Sequence, residues 1–152
     1  MEKEEKTIDT SINGIPVCYI DHEGTFKYVQ ISCNNKIYVR GIAKYKYHKG
    51  IYKSFITELE RFGLEEEYPT KCIGGGRIKI TPSDKSIFVY GYSHAYGRCK
   101  HQITCDFLKT MYKEYNISWS NDGYLYSVPI VYSLFYIFYT VNNKLILVLL
   151  YL

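Results

Sequence analysis

A histidine in a basic, aromatic stretch, Lys44-Tyr45-Lys46-Tyr47-His48, and a glycine-bracketed run downstream of it are the residues of this chain best suited to chemistry. The run, 74–97, opens Gly74-Gly75-Gly76-Arg77, continues through a strand-like alternation and closes Tyr90-Gly91-Tyr92-Ser93-His94-Ala95-Tyr96-Gly97. A small-residue turn between glycines aims several backbone N–H groups at one point, and such a nest holds a phosphate without a metal. Imidazole, with an unperturbed pKa of about 6.5, is the side chain suited to taking up a proton near neutrality. Side by side, the two features point to phosphate chemistry.

Other routes to that chemistry are not matched. Cys72 and Arg77 have four residues between them, not the five of a cysteine-based phosphatase loop, and Cys72 reads as a small buried apolar residue. The five cysteines, Cys18, Cys33, Cys72, Cys99 and Cys105, form no C-x-x-C pair and no zinc-ligand spacing. They read as reduced thiols of an intracellular protein, and no metal or other cofactor is expected. The opening residues, Met1-Glu2-Lys3-Glu4-Glu5-Lys6, lack the apolar core of a secretory signal, so a cytoplasmic protein is expected.

The formal charge is +4, unevenly spread: Lys36, Arg40, Lys44, Lys46, Lys49 and Lys53 crowd around His48, and Glu58, Glu60, Glu65, Glu66 and Glu67 follow. A local positive field suits an anionic partner, although a lysine-rich face alone is ordinarily solvated surface. The stretch 44–53 carries no recognisable RNA- or DNA-binding signature, so nucleic acid is not an expected partner.

These residues need a scaffold. At 152 residues, 47% of them hydrophobic and without internal repeats, the chain is sized for one domain with a modest core. Alternation over 25–32, a turn at Asn34-Asn35 and a second strand over 36–42 predict a β-hairpin. Ile51, Phe55, Leu59 and Phe62 recur at helical spacing, predicting an amphipathic helix ended by Gly63 in a left-handed cap, with His48 at or just before its first turn. A strand near 68–73 follows, the three glycines reading as a turn or bulge. Then 77–80 turns through Pro82-Ser83-Asp84-Lys85 into 86–92 as a second hairpin. Thr104 is placed as the cap of a helix reaching about 115, with Phe107, Leu108, Met111 and Tyr112 on its buried side. A last strand covers 116–119. Tyr90 and Tyr92 read as packing residues, and His22 as exposed. The sum is an α+β domain, a mixed sheet flanked by helices.

Several of these segments, in this order, carry a resemblance. Ile15-Pro16, the stretch 21–29, Val39-Arg40-Gly41, Tyr47-His48, Gly74 through Arg77, 89–97 and Trp119-Ser120-Asn121-Asp122-Gly123-Tyr124 resemble the protein phosphohistidine phosphatase family, also called the Janus/Ocnus family. The likeness covers roughly 15–124. It implies a single domain with a six-stranded sheet flanked by helices and a monomeric, metal-independent protein phosphatase that hydrolyses the P–N bond of phosphohistidine in proteins, with phospholysine a related substrate. It implies His48 as the essential base, Lys27 as a phosphate ligand, the Ser93, His94 and Ala95 loop as a source of phosphate-holding amides, and Arg40 and Arg77 as electrostatic support. His101 matches a family histidine for which a structural role is expected. The alternative is a non-catalytic regulatory protein of the Janus type that binds phosphorylated or acidic partners through the same pocket. The sequence departs from the family pattern at His94, where well-known members carry methionine, and in the basic Arg98-Cys99-Lys100.

The domain layout expected is therefore a flexible 1–14, a phosphatase-like 15–124 and a hydrophobic tail, 125–152. That tail is almost uncharged but is broken by Asn142-Asn143-Lys144. A helical span needs about 20 apolar residues, so a membrane anchor, an added packing element and an extension without an evolved role all stay open for it.

Overall fold

The computed structural model describes residues 12–122 and the strands Tyr136–Val141 and Lys144–Leu149. Its centre is a six-stranded mixed sheet with a helix on each face. In chain order the elements are β1 (Cys18–Ile20), β2 (Gly24–Cys33), β3 (Lys36–Gly41), α1 (His48–Glu60), β4 (Thr70–Thr81), β5 (Ser86–Tyr90), α2 (His101–Met111) and β6 (Asn116–Trp119). The strand order is β1-β3-β2-β4-β5-β6, with β1 parallel to β3, β6 parallel to β5 and the inner pairs antiparallel. The expected α+β sheet flanked by helices is the fold observed.

Both faces of the sheet are covered, so β2 is buried almost continuously rather than alternately. Val29, Ile31, Cys33 and Tyr38 pack with Ile51, Phe55 and Leu59 of α1, while Phe26, Tyr28, Val39, Ile78 and Val89 pack with Cys105 and Leu108 of α2. The β2–β3 turn is made by Asn34 and Asn35, both left-handed (φ 49° and 57°), the conformation that a two-residue turn needs to match strand twist.

Helix α1 ends as the glycine predicts, with one difference. Gly63 is left-handed (φ 64°), its N–H bonds the Glu60 carbonyl at 3.0 Å, and the Leu64 N–H bonds the Leu59 carbonyl at 3.1 Å, a Schellman closure. The last turn tightens, with Phe62 N–H on the Leu59 carbonyl, and this swings Phe62 off the apolar stripe to 54% exposure. Leu64 packs against the core cluster there.

The three glycines lie inside a strand, not in a turn. β4 runs unbroken from Thr70 to Thr81 and absorbs one extra residue: Gln30 faces Gly74 but Ile31 faces Cys72, a bulge at Ile73. The β4–β5 hairpin turns through Pro82–Asp84, with Lys85 left-handed (φ 45°). β5 stops at Tyr90, because Gly91 (φ 76°) diverts the chain, rather than reaching residue 92.

α2 begins three residues before the expected Thr104 and ends at Met111. Its inner stripe is His101, Thr104, Cys105 and Leu108, at i, i+3, i+4 and i+7. Thr104 is no cap: its hydroxyl accepts a 2.8 Å bond from Gln30 Nε2 in the core, and Met111 is 48% exposed. β6 forms where expected, and the Ser120 hydroxyl ties back the Asp122 amide after it.

Tyr136–Val141 and Lys144–Leu149 pair as an antiparallel two-stranded sheet. Among the described residues no helix is long and apolar enough to cross a membrane. The rest of 125–152, and with it the choice between anchor, packing element and extension, lies outside the described residues, as does most of 1–14.

Candidate active site

His48 opens α1, at a point where Tyr47 is still extended (φ −126°, ψ 145°), so the ring is fixed by the helix start and points at the sheet. It lies against β4 where no side chain intervenes: a Cβ on Gly75 would stand 2.7 Å from His48 Cδ2. His48 is 7% exposed, and its Nε2 lies 3.0 Å from the Gly76 carbonyl oxygen. A carbonyl only accepts, so Nε2 carries the proton and Nδ1 keeps its lone pair. The imidazolium is disfavoured first by burial and then by the charges of Lys27 and Arg77, which together hold the pKa below its ordinary value despite the opposing Gly76 bond.

The loop after β5 is built against the same glycines. Ser93 and Gly97 exchange backbone bonds (Ser93 N to Gly97 O 3.1 Å, Gly97 N to Ser93 O 2.8 Å), and Tyr96 N–H goes to Ser93 Oγ. None of these bonds uses the amides of His94 and Ala95. Gly75 N–H binds the Gly97 carbonyl at 3.0 Å, so β4 holds the loop and the His48 ring through the backbone of adjacent residues. The absence of side chains is what permits this. A Cβ at Gly74 (φ 153°) would lie 2.6 Å from Cys99 N, and one at Gly76 would lie 2.5 Å from the Tyr90 carbonyl oxygen.

A buried chain of polar groups anchors the far side. Tyr28 Oη binds His101 Nδ1, Cys99 Sγ donates to Tyr28 Oη at 3.2 Å, and His101 Nε2 donates to the Gly91 carbonyl at 3.0 Å. His101 thereby grips the residue at which the loop departs from β5, the structural role expected of it. Burial also holds its pKa below the ordinary value.

Lys27 and Arg77 are cross-strand partners on β2 and β4. With His48, Ser93, His94 and Ala95 they line one cavity of about 880 Å³, completed by Tyr45, Tyr47, Gly50 and the lysines Lys46, Lys49 and Lys53. No carboxylate lines it. Desolvation, then the neighbouring charges of Arg77 and Lys46, lower the pKa of Lys27. Such a wall of cations and free amides suits an anion, with the His48 imidazole among the lining groups.

Six of the seven residues singled out for phosphate chemistry are thus brought together, and Arg40 is not. Its guanidinium is 2% exposed, pairs with Glu58 at 3.2 Å, donates to the Val17 and Val39 carbonyls, and stacks over Phe55 at 4.8 Å. The charge is consumed between β3 and α1. The cysteines do not reach the cavity either: burial pushes the Cys72 thiol up to about 11. His22 is exposed, Tyr90 is buried and Tyr92 is half-buried. Among the described residues no three of His, Cys, Asp and Glu are grouped to hold a metal ion. Sequence reasoning missed the platform role of Gly74, Gly75 and Gly76, whose only signal was a glycine triplet flanked by strand-like residues on both sides.

The family comparison bears on this arrangement directly. The sequence model of the Janus/Ocnus family matches residues 12–116. The chain belongs to the Janus/Ocnus family. Similar curated members are the 14 kDa phosphohistidine phosphatases of pig and human, each 39% identical over 121 residues that cover 72% of this chain and 93% and 94% of theirs. The sex-regulated protein janus-A of Drosophila melanogaster is 36% identical over 124 residues, covering 78% of this chain and 89% of its own. The stretch matched by the Janus/Ocnus model takes in every element from β1 to α2, and so the whole cavity.

Proposed function

We propose that this protein is a phosphatase that hydrolyses the P–N bond of phosphohistidine in proteins, with phospholysine a related substrate, and that His48 Nδ1 is its general base. The observation that carries the reading is a buried imidazole, its Nε2 held by the Gly76 carbonyl and its pKa lowered, lining a cavity with five cationic side chains and no carboxylate. Similarity to the two phosphohistidine phosphatases supplies the substrate class.

The chemistry follows from the charges. Lys27, Arg77 and the amides of His94 and Ala95 hold the phosphoryl oxygens, and phosphoryl transfer is accelerated mostly by such positioning and charge stabilisation. Water attacks phosphorus in line while His48 Nδ1 takes its proton. The P–N electrons return to the substrate imidazole, which leaves as a neutral ring when its other nitrogen is protonated. That leaving group needs little acid assistance, which accounts for a site without paired carboxylates. On this reading the protein works as a cytoplasmic monomer on phosphohistidine-containing proteins, without metal, other cofactor or nucleic acid.

The janus-A relatives favour a second reading, a regulatory protein that retains a phosphorylated or acidic partner in the same cavity without turnover. Phosphate release from a phosphohistidine peptide by the full chain, in EDTA, separates the two. His48→Ala is expected to lose roughly 10²- to 10⁴-fold in kcat, the usual contribution of a general base. A folded wild-type protein that binds the peptide and releases no phosphate establishes the binding reading instead.

A further inference from the structure

A second cavity, of about 460 Å³, adjoins the first and shares Tyr45, Gly50 and Lys53 with it. The Tyr45 ring can approach because Gly50 has no side chain: a Cβ there would lie 2.9 Å from it, so the ring sits against the start of α1 and borders both spaces. Beyond it stand Lys44, Lys53 and Arg61, all exposed, over a surface that includes Ile42 and the 49%-exposed ring of Tyr19.

The charge balance of this second space is one-sided. Its single carboxylate, Glu58, has Oε2 engaged by both Arg40 Nε and Nη2 at 3.2 Å, so that pair cancels internally. Among the described residues no carboxylate pairs with Lys44, Lys53 or Arg61. Unlike the first cavity, this one has neither a histidine nor a loop of free amides to grip a phosphoryl group. Separated cations above aromatic and aliphatic surface suit carboxylates carried on short apolar stems along a polypeptide.

We infer that the second cavity seats an acidic stretch of the protein substrate next to the phosphohistidine, so that the enzyme selects phosphohistidine in Asp/Glu-rich sequence. This rests on the phosphatase reading above and deepens it. Lys44 and Arg61 line only the second cavity, so they serve selection and not the chemistry.

Two phosphohistidine peptides of equal length, one flanked on both sides by glutamates and one by glutamines, test the inference with the full-length wild type and the Lys44→Gln, Arg61→Gln double variant. The expected result at low salt is a KM roughly three- to tenfold lower for the glutamate peptide with wild type, as a few exposed ion pairs supply. The two KM values should converge in the double variant, with both kcat values and the glutamine-peptide KM unchanged. Equal KM values in wild type, or a preference that survives in the variant, overturn it. Should neither peptide turn over, the phosphatase reading fails by itself, and anisotropy with the unphosphorylated glutamate peptide decides. Salt-sensitive binding lost in the double variant supports the acidic site, and no binding removes it. Tighter, variant-sensitive binding of single-stranded RNA than of the glutamate peptide also overturns it, reassigning the surface to nucleic acid.

Discussion

His48 and His101 lie on opposite sides of β4, one toward the Cβ direction of Gly75 and the other toward that of Gly76, and each gives Nε2 to a glycine carbonyl. Burial is the leading cause that keeps both neutral, yet only His48 has its other nitrogen uncommitted, since Tyr28 fills His101 Nδ1. The sign for activity is direct. A base works deprotonated, and its pKa lies below the ordinary 6.5, so kcat/KM should hold as pH falls through 6.5 and decline tenfold per unit only below the lowered value. The charge of His94 adds to that lowering, and His94→Gln should move the acid limb upward in a pH–rate profile while leaving the loop amides in place. Gly75→Ala tests the platform at the same scale. Its methyl group would meet both His48 Cδ2 and the Tyr28 carbonyl oxygen at 2.7 Å, so the ring must move. A displacement of this kind is expected to cost about 10² in kcat with substrate KM far less affected, measured beside a circular dichroism check of fold.

At the scale of elements, α1 matters because its first residue is the proposed base and its apolar stripe fixes where that residue sits. Phe55→Ala should cost roughly 3–5 kcal/mol in denaturant unfolding, being fully buried against Tyr38 and under the Arg40 guanidinium. Phe62→Ala should stay within about 0.5 kcal/mol, because the helix closure has already turned that ring outward. A straight helical extrapolation from sequence places the two rings on one stripe. It cannot see that the turn tightens at Leu59 before Gly63 reverses the chain. The β2–β3 hairpin was legible because two asparagines between strand-like runs leave the chain few alternatives, and His48 at a helix start followed from the apolar spacing after it. The glycine triplet was not, since propensity reads it as a break, whereas in the fold three close neighbours require those positions to be bare. The start of α2 was hidden for a related reason. His101 and Thr104 are polar, so hydropathy assigns them outward, and only Tyr28, Gly91 and Gln30, distant in sequence, make burying them inexpensive. Arg40 fits the family pattern by position, but eighteen residues away Glu58 takes up its charge.

For the whole molecule, the formal +4 understates the field that a substrate meets. The cluster Glu65, Glu66 and Glu67 follows α1, whereas Lys27, Lys46, Lys49, Lys53 and Arg77 converge on one cavity with no acid among them. A phosphoryl group carrying up to two negative charges is attracted over a distance set by screening, about 10 Å at 0.1 M salt and about 3 Å at 1 M. Raising the salt therefore shortens the reach of the exposed lysines before it weakens Lys27 and Arg77, which are half-buried in the cavity that His48 also lines. Salt should accordingly lower kcat/KM through KM, with kcat nearly constant, over a titration from 0.05 to about 1 M sodium chloride, since screening acts on encounter more than on the bound phosphoryl group. A kcat that fell in parallel would place the salt-sensitive charges in contact with the transition state. A flat KM would show that the exposed lysines contribute nothing to capture, leaving Lys27, Arg77 and the loop amides as the whole of the anion site.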